Sequence, residues 1–287
     1  MKTILDKEFK AYFTSPIGYV FMAFFLLIFG FYFTAINIYN SYGDYTNVLA
    51  ALSSLLLFAI PLVTMRLLSE EKKNRTDQLL LTSPIHVKDI VLGKYFAAVS
   101  LFAITLIITM VQPAILMFFG NIPVGKILTC YLGYFLLGAT LIAISLFISA
   151  LTENQIISAI ASIGLFLFLM LIDGLAVLIP KQRISSLVFL IIIVVLITLF
   201  IYFSIKDFYI SGIIGLLGIC GVVVTYNLNG SLFDGLCTKI LQWFSLFSRF
   251  ENFTYGLLDI GAIVYYLSFI FIFLFLTNQT IEKRRWS

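Results

Sequence analysis

The stretch RLLSEEKKNRTDQLLLTSPIHVKDIVLGK (residues 66–94) separates two long apolar segments of the chain. The whole sequence has 18 Lys and Arg and 14 Asp and Glu, and ten of these ionised side chains lie in this one stretch. They are Arg66, Glu70, Glu71, Lys72, Lys73, Arg75, Asp77, Lys88, Asp89 and Lys94. Because ionised side chains are costly in hydrocarbon, this concentration indicates a loop in water between two membrane spans.

The composition of the rest of the chain supports a membrane protein. Of 287 residues, 61% are hydrophobic and 11% are charged, whereas a soluble domain carries about 25% charged residues. Apolar segments of 20 or more residues recur along the chain, and each is long enough to cross about 30 Å of hydrocarbon as a helix. We therefore predict an all-α, polytopic helical membrane protein in which residues 1–287 form a single transmembrane domain.

The apolar segments predict about eight transmembrane helices. They are residues 17–39, 48–68, 95–119, 127–150, 155–179, 185–205, 208–226 and 255–277. Only Lys206 and Asp207 separate the sixth from the seventh, so six spans are the alternative. Six and eight are both even numbers of spans. Both termini therefore lie on the same side of the membrane whether the doubtful pair crosses it or not.

The basic residues predict the orientation of the spans. With the N-terminus in the cytoplasm, thirteen Lys and Arg lie in inner segments and five lie in outer segments. Cytoplasmic loops carry an excess of Lys and Arg, so we predict that both termini and the loop 66–94 are cytoplasmic.

Two further segments have an amphipathic pattern. Residues 2–13 place Ile4, Tyr12 and neighbouring apolar residues on one helical face, with lysines largely opposite. This pattern predicts a helix along the inner leaflet, with its apolar face in acyl chains and its lysines at anionic headgroups. Residues 231–247 repeat apolar residues at three- and four-residue spacing, which predicts an amphipathic helix at the outer surface. They belong to a predicted external amphipathic segment, residues 227–254.

The charged loop has two interpretations. Thr76 is a candidate N-cap for a short element that presents three leucines, and the chain turns back to the membrane at Ser83 and Pro84. Either the charges only anchor two helices at the cytoplasmic interface, with the leucines folded back onto the bilayer, or the leucines form a docking surface for a partner. The candidate docking residues are Glu70, Glu71, Lys72, Lys73, Arg75, Thr76, Asp77, Leu79, Leu80, Leu81, Ser83 and Pro84.

Two polar residues inside predicted spans are candidates for a transport pathway. Asp173 lies near the outer end of its span, where it either serves function or is wetted or paired with Lys181 or Arg183. Gln112 precedes Pro113, where it either lines a kink on a pathway or satisfies a carbonyl freed by the proline. Glu153, in a short inner loop, is either a second partner contact or part of a required polar turn.

The sequence offers no pattern for catalysis. His86 is the only histidine, and Cys130, Cys220 and Cys237 lie far apart, so we expect neither catalytic residues nor a metal site. The phosphate-binding pattern G-x-x-x-x-G-K-[ST] does not occur, so we expect no ATP or other cofactor on this chain. We expect the chain to contact the lipid bilayer and not to bind nucleic acid.

Three stretches resemble one known family. Residues 65–95 (MRLLSEEKKNRTDQLLLTSPIHVKDIVLGKY) resemble the cytoplasmic loop of ABC type-2 transporter permeases, particularly the gliding-motility-like subfamily. Residues 8–21 (EFKAYFTSPIGYVF) are similar to the entry helix of that subfamily, and residues 247–287 to its last external segment, final span and basic tail.

The resemblance implies a transport subunit, directed outward, in the cytoplasmic membrane of a bacterium. It implies two separate ABC-type ATPase subunits that bind ATP and Mg²⁺, and a second copy of this permease or a different permease. In that family plan residues 1–16 form an elbow helix, residues 66–94 the coupling loop with a coupling helix at about 70–83, and residues 227–254 an external segment. The alternatives are an ATP-independent channel or secondary transporter, or a membrane anchor for a cytoplasmic partner.

Overall fold

The computed structural model describes residues 1–77, 86–178, 183–205, 208–228 and 233–286. Within these ranges the chain is helical and has no β-strand, which confirms the all-α prediction. The first half contains α1 (Lys2–Thr14), α2 (Pro16–Phe33) with a π-helical turn at Thr34–Ile38, α3 (Thr46–Ala51), α4 (Leu56–Thr64), α5 (Arg66–Lys73), α6 (Val87–Thr109), α7 (Val111–Met117) and α8 (Val124–Leu151). The second half contains α9 (Gln155–Leu178), α10 (Arg183–Ile205), α11 (Phe208–Leu228), α12 (Leu236–Trp243), α13 (Phe247–Thr254) and α14 (Ile260–Trp286).

Six helical stretches of the described chain are long and apolar enough to cross a membrane. They are Pro16–Ile38, Thr46–Lys73, Val87–Met117, Val124–Leu151, Gln155–Ala176 and Ile260–Arg284. Several run past the predicted apolar segments, because a helix continues into the polar residues at its ends. In α10 and α11 the apolar helical stretches found in the described residues are shorter, Ser186–Leu196 and Ile214–Tyr226. The structure therefore supports six of the eight predicted spans, and the remaining pair stays a prediction.

The chain divides into two compact units. The first comprises Met1–Phe168 and Leu246–Ser287, and the second comprises Leu169–Ser245. In the first unit α8 is the central helix and packs against α4, α5, α6, α13 and α14.

Two glycines allow neighbouring helices to approach α8 closely. A Cβ atom at Gly133 would lie 2.5 Å from the ring of Phe253, and one at Gly138 would lie 2.2 Å from the ring of Phe102. Helix association in a bilayer depends on close packing, since lipid tails are as apolar as the side chains, so small residues at these contacts fix where the aromatic rings fit.

In the second unit α10 and α11 pack against each other, and α12 packs on α10. Their contact again uses small residues, because a Cβ atom at Gly218 would lie 2.7 Å from Val194. The predicted amphipathic helix over 231–247 is shorter than expected. Its described part is α12, which buries Cys237, and the chain leaves the helix after Trp243.

The structure corrects the predicted environment of the N-terminal helix. Residues 2–14 are helical, as predicted. At its two buried positions, Ile4 and Tyr12, the apolar face of this helix contacts other parts of the protein and not acyl chains. Ile4 packs where Gly93 of α6 leaves room, and a Cβ atom at Gly93 would lie 2.9 Å from Ile4 Cγ2. Tyr12 is buried and its hydroxyl donates to the carbonyl oxygen of Val63 at 3.2 Å. Periodicity identified the apolar face but not the protein surface that covers it.

Candidate functional site

The charged loop begins with a helix that is fixed to the centre of the first unit. Helix α4 ends at Thr64 and α5 begins at Arg66, so the backbone groups around Met65 need partners outside the helix. Ser149 of α8 supplies them. Its hydroxyl accepts from the amides of Leu68 and Ser69 at 3.3 and 3.1 Å and lies 3.0 Å from the Met65 carbonyl oxygen, to which it donates.

A second polar contact lies one turn earlier along α8. The hydroxyls of Thr64 and Ser145 lie 2.6 Å apart, and Ser145 donates to Ser162 of α9 at 2.9 Å. All three side chains are fully buried. A hydroxyl buried without a partner costs free energy, so these bonds favour one register of α4, α8 and α9.

The centre of the site is a buried lysine between two carboxylates. Lys94 of α6 has a side chain that is only 2% exposed. Its Nζ atom lies 2.9 Å from Glu8 Oε1 of α1 and 2.8 Å from Glu71 Oε1 of α5. A buried ammonium is stable only when it is paired, and here each carboxylate comes from a different helix. Lys94 therefore joins the N-terminal helix, the first helix of the charged loop and the span that follows the loop.

The N-terminal helix is held to the same place by a second buried group. Burial raises the pKa of the Tyr12 phenol well above its usual range, and the charge of Glu8 raises it further. Tyr12 therefore remains a neutral hydroxyl that donates to the Val63 carbonyl at the end of α4. Together with Lys94, this bond attaches α1 to both sides of the charged loop.

A cavity of about 320 Å³ opens beside this ion-paired cluster. It lies between α1, α5 and the start of α6, and its wall includes three basic and three acidic side chains. They are Lys7, Arg66, Lys94, Glu8, Glu70 and Glu71. Because the opposite charges balance, the cavity does not have the single-sign field that attracts a free anion or cation.

A second cluster joins the loop to the C-terminal helix. The Arg284 guanidinium of α14 lies 3.6 Å from Asp77 Oδ2 and 3.2 Å from Glu153 Oε1. Lys72 donates to the carbonyl oxygen of Ala150 at the end of α8. The far end of α5 is thus tied to the last turn of α8 and to the basic tail.

The structure separates the predicted docking residues into inward and outward groups. Glu71 and Lys72 point inward to Lys94 and to the Ala150 carbonyl. Lys73, Arg75 and Thr76 are exposed, and Arg75 has a left-handed backbone with a φ of 57° that ends the helix. Glu70 pairs with Arg66 at 3.4 Å, as the four-residue spacing predicts, and Asp77 contacts Arg284. Leu79, Leu80, Leu81, Ser83 and Pro84 lie outside the described residues.

The two candidate pathway residues have partners of their own. The Gln112 side-chain oxygen accepts from the Tyr45 hydroxyl at 2.7 Å, which ties α7 to the start of the second span. Asp173 accepts from the hydroxyl of Ser245 within the second unit. Arg183, one of its expected partners, lies instead 2.8 Å from Asp234, and Lys181 is outside the described residues. Hydrogen bonding explains both positions, and a pathway role for either stays a prediction.

Sequence reasoning missed the residues that hold the cluster together. In the sequence Lys94 is one of the ten charges of the stretch 66–94, and nothing in the sequence marks Glu8 of the N-terminal helix as its partner. No spacing along the chain connects residues 8, 71 and 94. The available signal was that Lys94 is followed directly by an apolar span and lies about two helical turns inside α6.

One further run comes close to a phosphate-binding pattern. Residues Gly120 to Lys126 fit its first seven positions, but Ile127 stands where Ser or Thr is needed to hold Mg²⁺. Lys126 also binds a carboxylate, with its Nζ atom 2.5 Å from Asp44 Oδ2. The run is therefore better explained as the turn into α8.

Comparison with protein families finds a match. A family model described as ABC-2 type transporter matches residues 1–185, which is more than half of the chain. The matched region runs from α1 to the start of α10 and contains both the ion-paired cluster around Lys94 and the charged loop. No curated protein matches the sequence.

Proposed function

The chain belongs to the ABC-2 type transporter family, as a multi-pass permease component, and from this premise we propose that a separate ATPase subunit drives it through the loop 66–94. Two such ATPase subunits, which bind the ATP and Mg²⁺, would serve a pair of permeases, formed by two copies of this chain or by this chain and a different permease. We propose an exporter in the cytoplasmic membrane of a bacterium, with both termini in the cytoplasm.

The observation that carries this proposal is the buried Lys94 with its two carboxylates. A loop that transmits force must be joined rigidly to the helices it moves, because a loose loop would absorb the displacement. Here Glu71 of α5 binds Lys94 of α6, and Lys94 also binds Glu8 of α1. The amide of Ser69 in α5 donates to the Ser149 hydroxyl of α8. A push on the loop is therefore delivered to several helices at once.

The mechanism follows from that connection. ATP binding closes the paired ATPase subunits, and hydrolysis with product release reopens them. A loop seated in the ATPase follows this motion, and its bonds to α1, α6 and α8 convert the motion into tilting of the spans. The exposed Lys73 and Arg75 would set the orientation of the contact, while Leu79, Leu80 and Leu81 would supply most of its binding energy.

The test is purification of the tagged full-length chain from native membranes in mild detergent, with partners identified by mass spectrometry. We expect an ATPase subunit to copurify with the unaltered chain. Leu80→Asp, or Lys73→Glu combined with Arg75→Glu, should reduce its recovery at least tenfold, which corresponds to about 1.4 kcal/mol of lost binding free energy.

Lys239→Glu is the matched control, because Lys239 is exposed on α12 in the segment predicted to lie outside. It should leave the recovered ATPase unchanged. An intact, inserted chain that purifies without an ATPase would favour a channel or secondary transporter. Recovery that is unaffected by the loop substitutions would place the docking surface elsewhere.

A further inference from the structure

A second cavity, of about 460 Å³, lies at the C-terminal end of the first candidate span, Pro16–Ile38. Its wall is formed by the end of α2 with the turn after it, and by the end of α7 with the turn that leads into α8. Most of its lining is apolar, including Phe33, Ile115, Leu116 and Phe119. A volume of this size is typical of a site for a small ligand or for part of a larger one.

The polar group of interest in the wall is Asn37. Buried phenylalanines at 21, 25, 29 and 33 form a stripe with a spacing of four along α2, and Asn37 takes the next position of that stripe. Its side chain is 2% exposed. It lies in the π-helical turn Thr34–Ile38, a kind of turn that occurs frequently at functional sites.

One atom of this amide has no partner in the described part of the chain. Asn37 Nδ2 donates to the carbonyl oxygen of Tyr42 at 2.6 Å, and Asn37 Oδ1 is buried without a hydrogen bond. The orientation of the amide is fixed, because the Tyr42 carbonyl only accepts and so must face Nδ2. A buried acceptor without a donor costs free energy, so this oxygen fits a ligand that brings a donor.

The surroundings restrict the ligand to an amphiphile. Ile38 and Met117 end two of the candidate spans, so the cavity lies where a helix leaves the hydrocarbon for the headgroup layer. Tyr39, Phe118 and Phe119 are each more than four-fifths exposed at this level, as aromatic side chains are at membrane interfaces. A bilayer lipid presents its polar headgroup and its first methylene groups at this depth.

The charge of the wall restricts the headgroup. The described residues that line the cavity include no Lys, Arg, Asp or Glu. An anionic headgroup would therefore enter without a cation to pair with, which is unfavourable at a half-buried site. A zwitterionic choline headgroup avoids that cost but has no N–H or O–H to donate. An ethanolamine headgroup is zwitterionic and carries three N–H donors.

We propose that this cavity binds a phosphatidylethanolamine molecule, with its ammonium donating to Asn37 Oδ1 and its upper acyl segment against the apolar wall. The bound lipid would complete the hydrogen bonds of the π-helical turn and fix the end of the first span against the end of α7. This inference concerns a resident lipid at the span ends and does not rest on the proposed function.

The experiment compares three lipids that differ only in their headgroups. The full-length chain is reconstituted into nanodiscs with equal amounts of phosphatidylethanolamine, phosphatidylcholine and phosphatidylglycerol, re-extracted in mild detergent, and its retained lipid is measured by mass spectrometry. We expect phosphatidylethanolamine to be retained about tenfold over phosphatidylcholine, which corresponds to about 1.4 kcal/mol. Equal retention of these two lipids, or a preference for phosphatidylglycerol, would overturn the proposal.

Two substitutions test the site separately. Gly120→Phe fills the cavity, since a Cβ atom at Gly120 meets nothing within 4 Å, and it should remove the retained phosphatidylethanolamine. Asn37→Leu removes the acceptor, and it should equalise the retention of the ethanolamine and choline lipids. Gly125→Phe is the control, because its Cβ atom is equally free of contacts but Gly125 does not line the cavity. Unchanged retention in the Gly120 variant would locate the lipid elsewhere, and the wild-type comparison stands even if a variant fails to insert.

Discussion

Lys94 Nζ lies 2.8 Å from Glu71 Oε1, and the lysine side chain is 2% exposed. These residues are 23 positions apart, on the helices that enter and leave the charged loop. Because Glu8 of α1 binds the same ammonium, one buried charge fixes the relative positions of three helices. The pair is therefore part of the fold as well as part of the candidate coupling site.

Removal of the buried ammonium should destabilise the protein. Lys94→Met leaves two carboxylates partly buried without their partner, so we expect a loss of about 3 kcal/mol in the free energy of unfolding. The measurement is thermal unfolding of the purified chain in detergent. Lys88→Met, at an exposed lysine of the same helix, is the control and should change little.

A rescue variant distinguishes the missing charge from lost packing. Glu8→Gln and Glu71→Gln, combined with Lys94→Met, remove the unpaired carboxylates and should recover part of the stability. If Lys94→Met alone unfolds at the temperature of the unaltered chain, the ion pairs do not hold α1, α5 and α6 together.

The contact between α1 and α6 should be sensitive to one methyl group. Gly93→Ala places a Cβ atom 2.9 Å from Ile4 Cγ2, so α1 must shift, and we expect a loss of about 1–3 kcal/mol. Gly30→Ala is a matched control in α2, where the added Cβ atom meets nothing within 4 Å. There alanine should be neutral or should stabilise the helix by about 0.5–1 kcal/mol. A Gly93→Ala variant that is as stable as the unaltered chain, or more stable, would show that α1 is not packed closely on α6.

The ion pair between Asp44 and Lys126 should make stability depend on pH in the acid range. Burial alone would raise the pKa of the Asp44 carboxyl, but hydrogen bonds from Lys126 and Thr46 and the lysine charge outweigh it and lower the pKa below 3.8. A carboxyl with a depressed pKa stabilises the fold above its unfolded pKa, and this contribution is lost as the pH falls through the folded pKa.

Asp44→Asn removes that contribution. The difference in melting temperature between the unaltered chain and this variant should be constant from pH 7 to about pH 5 and should shrink as the pH falls below about 4. Asp6→Asn, at an exposed carboxylate of α1, is the control and should show little difference at either pH. A difference that grows on acidification would contradict the sign of the effect.

Arg284 should matter more for coupling than for stability. Its contacts with Asp77 and Glu153 are partly exposed, and such pairs contribute about 0–1 kcal/mol, so Arg284→Glu should lower the melting temperature only slightly. The reversed charge faces two carboxylates and should push the C-terminal helix away from the end of α5. We expect a several-fold loss of ATPase-driven transport, with Lys239→Glu, at an exposed lysine of α12, as the control. Full transport by the Arg284 variant would exclude the tail from coupling.

The sequence by itself determined the architecture, because the cost of polar groups in hydrocarbon acts on every residue of a span. Long apolar runs predicted six helices that the structure contains, and the charge concentration at 66–94 identified the loop between the second and third. Local spacing also predicted the Arg66–Glu70 pair, since residues four apart share a helix face.

Only the tertiary structure decided which charges of the loop point inward. Glu71 and Lys73 are equivalent as loop charges in the sequence, yet one binds a buried lysine and the other is exposed. The apolar face of α1 was readable, but its position against α4 and α6 was not. These outcomes depend on contacts between residues far apart in the chain, such as Glu8 with Lys94, and no local periodicity records which distant surfaces meet when helices pack.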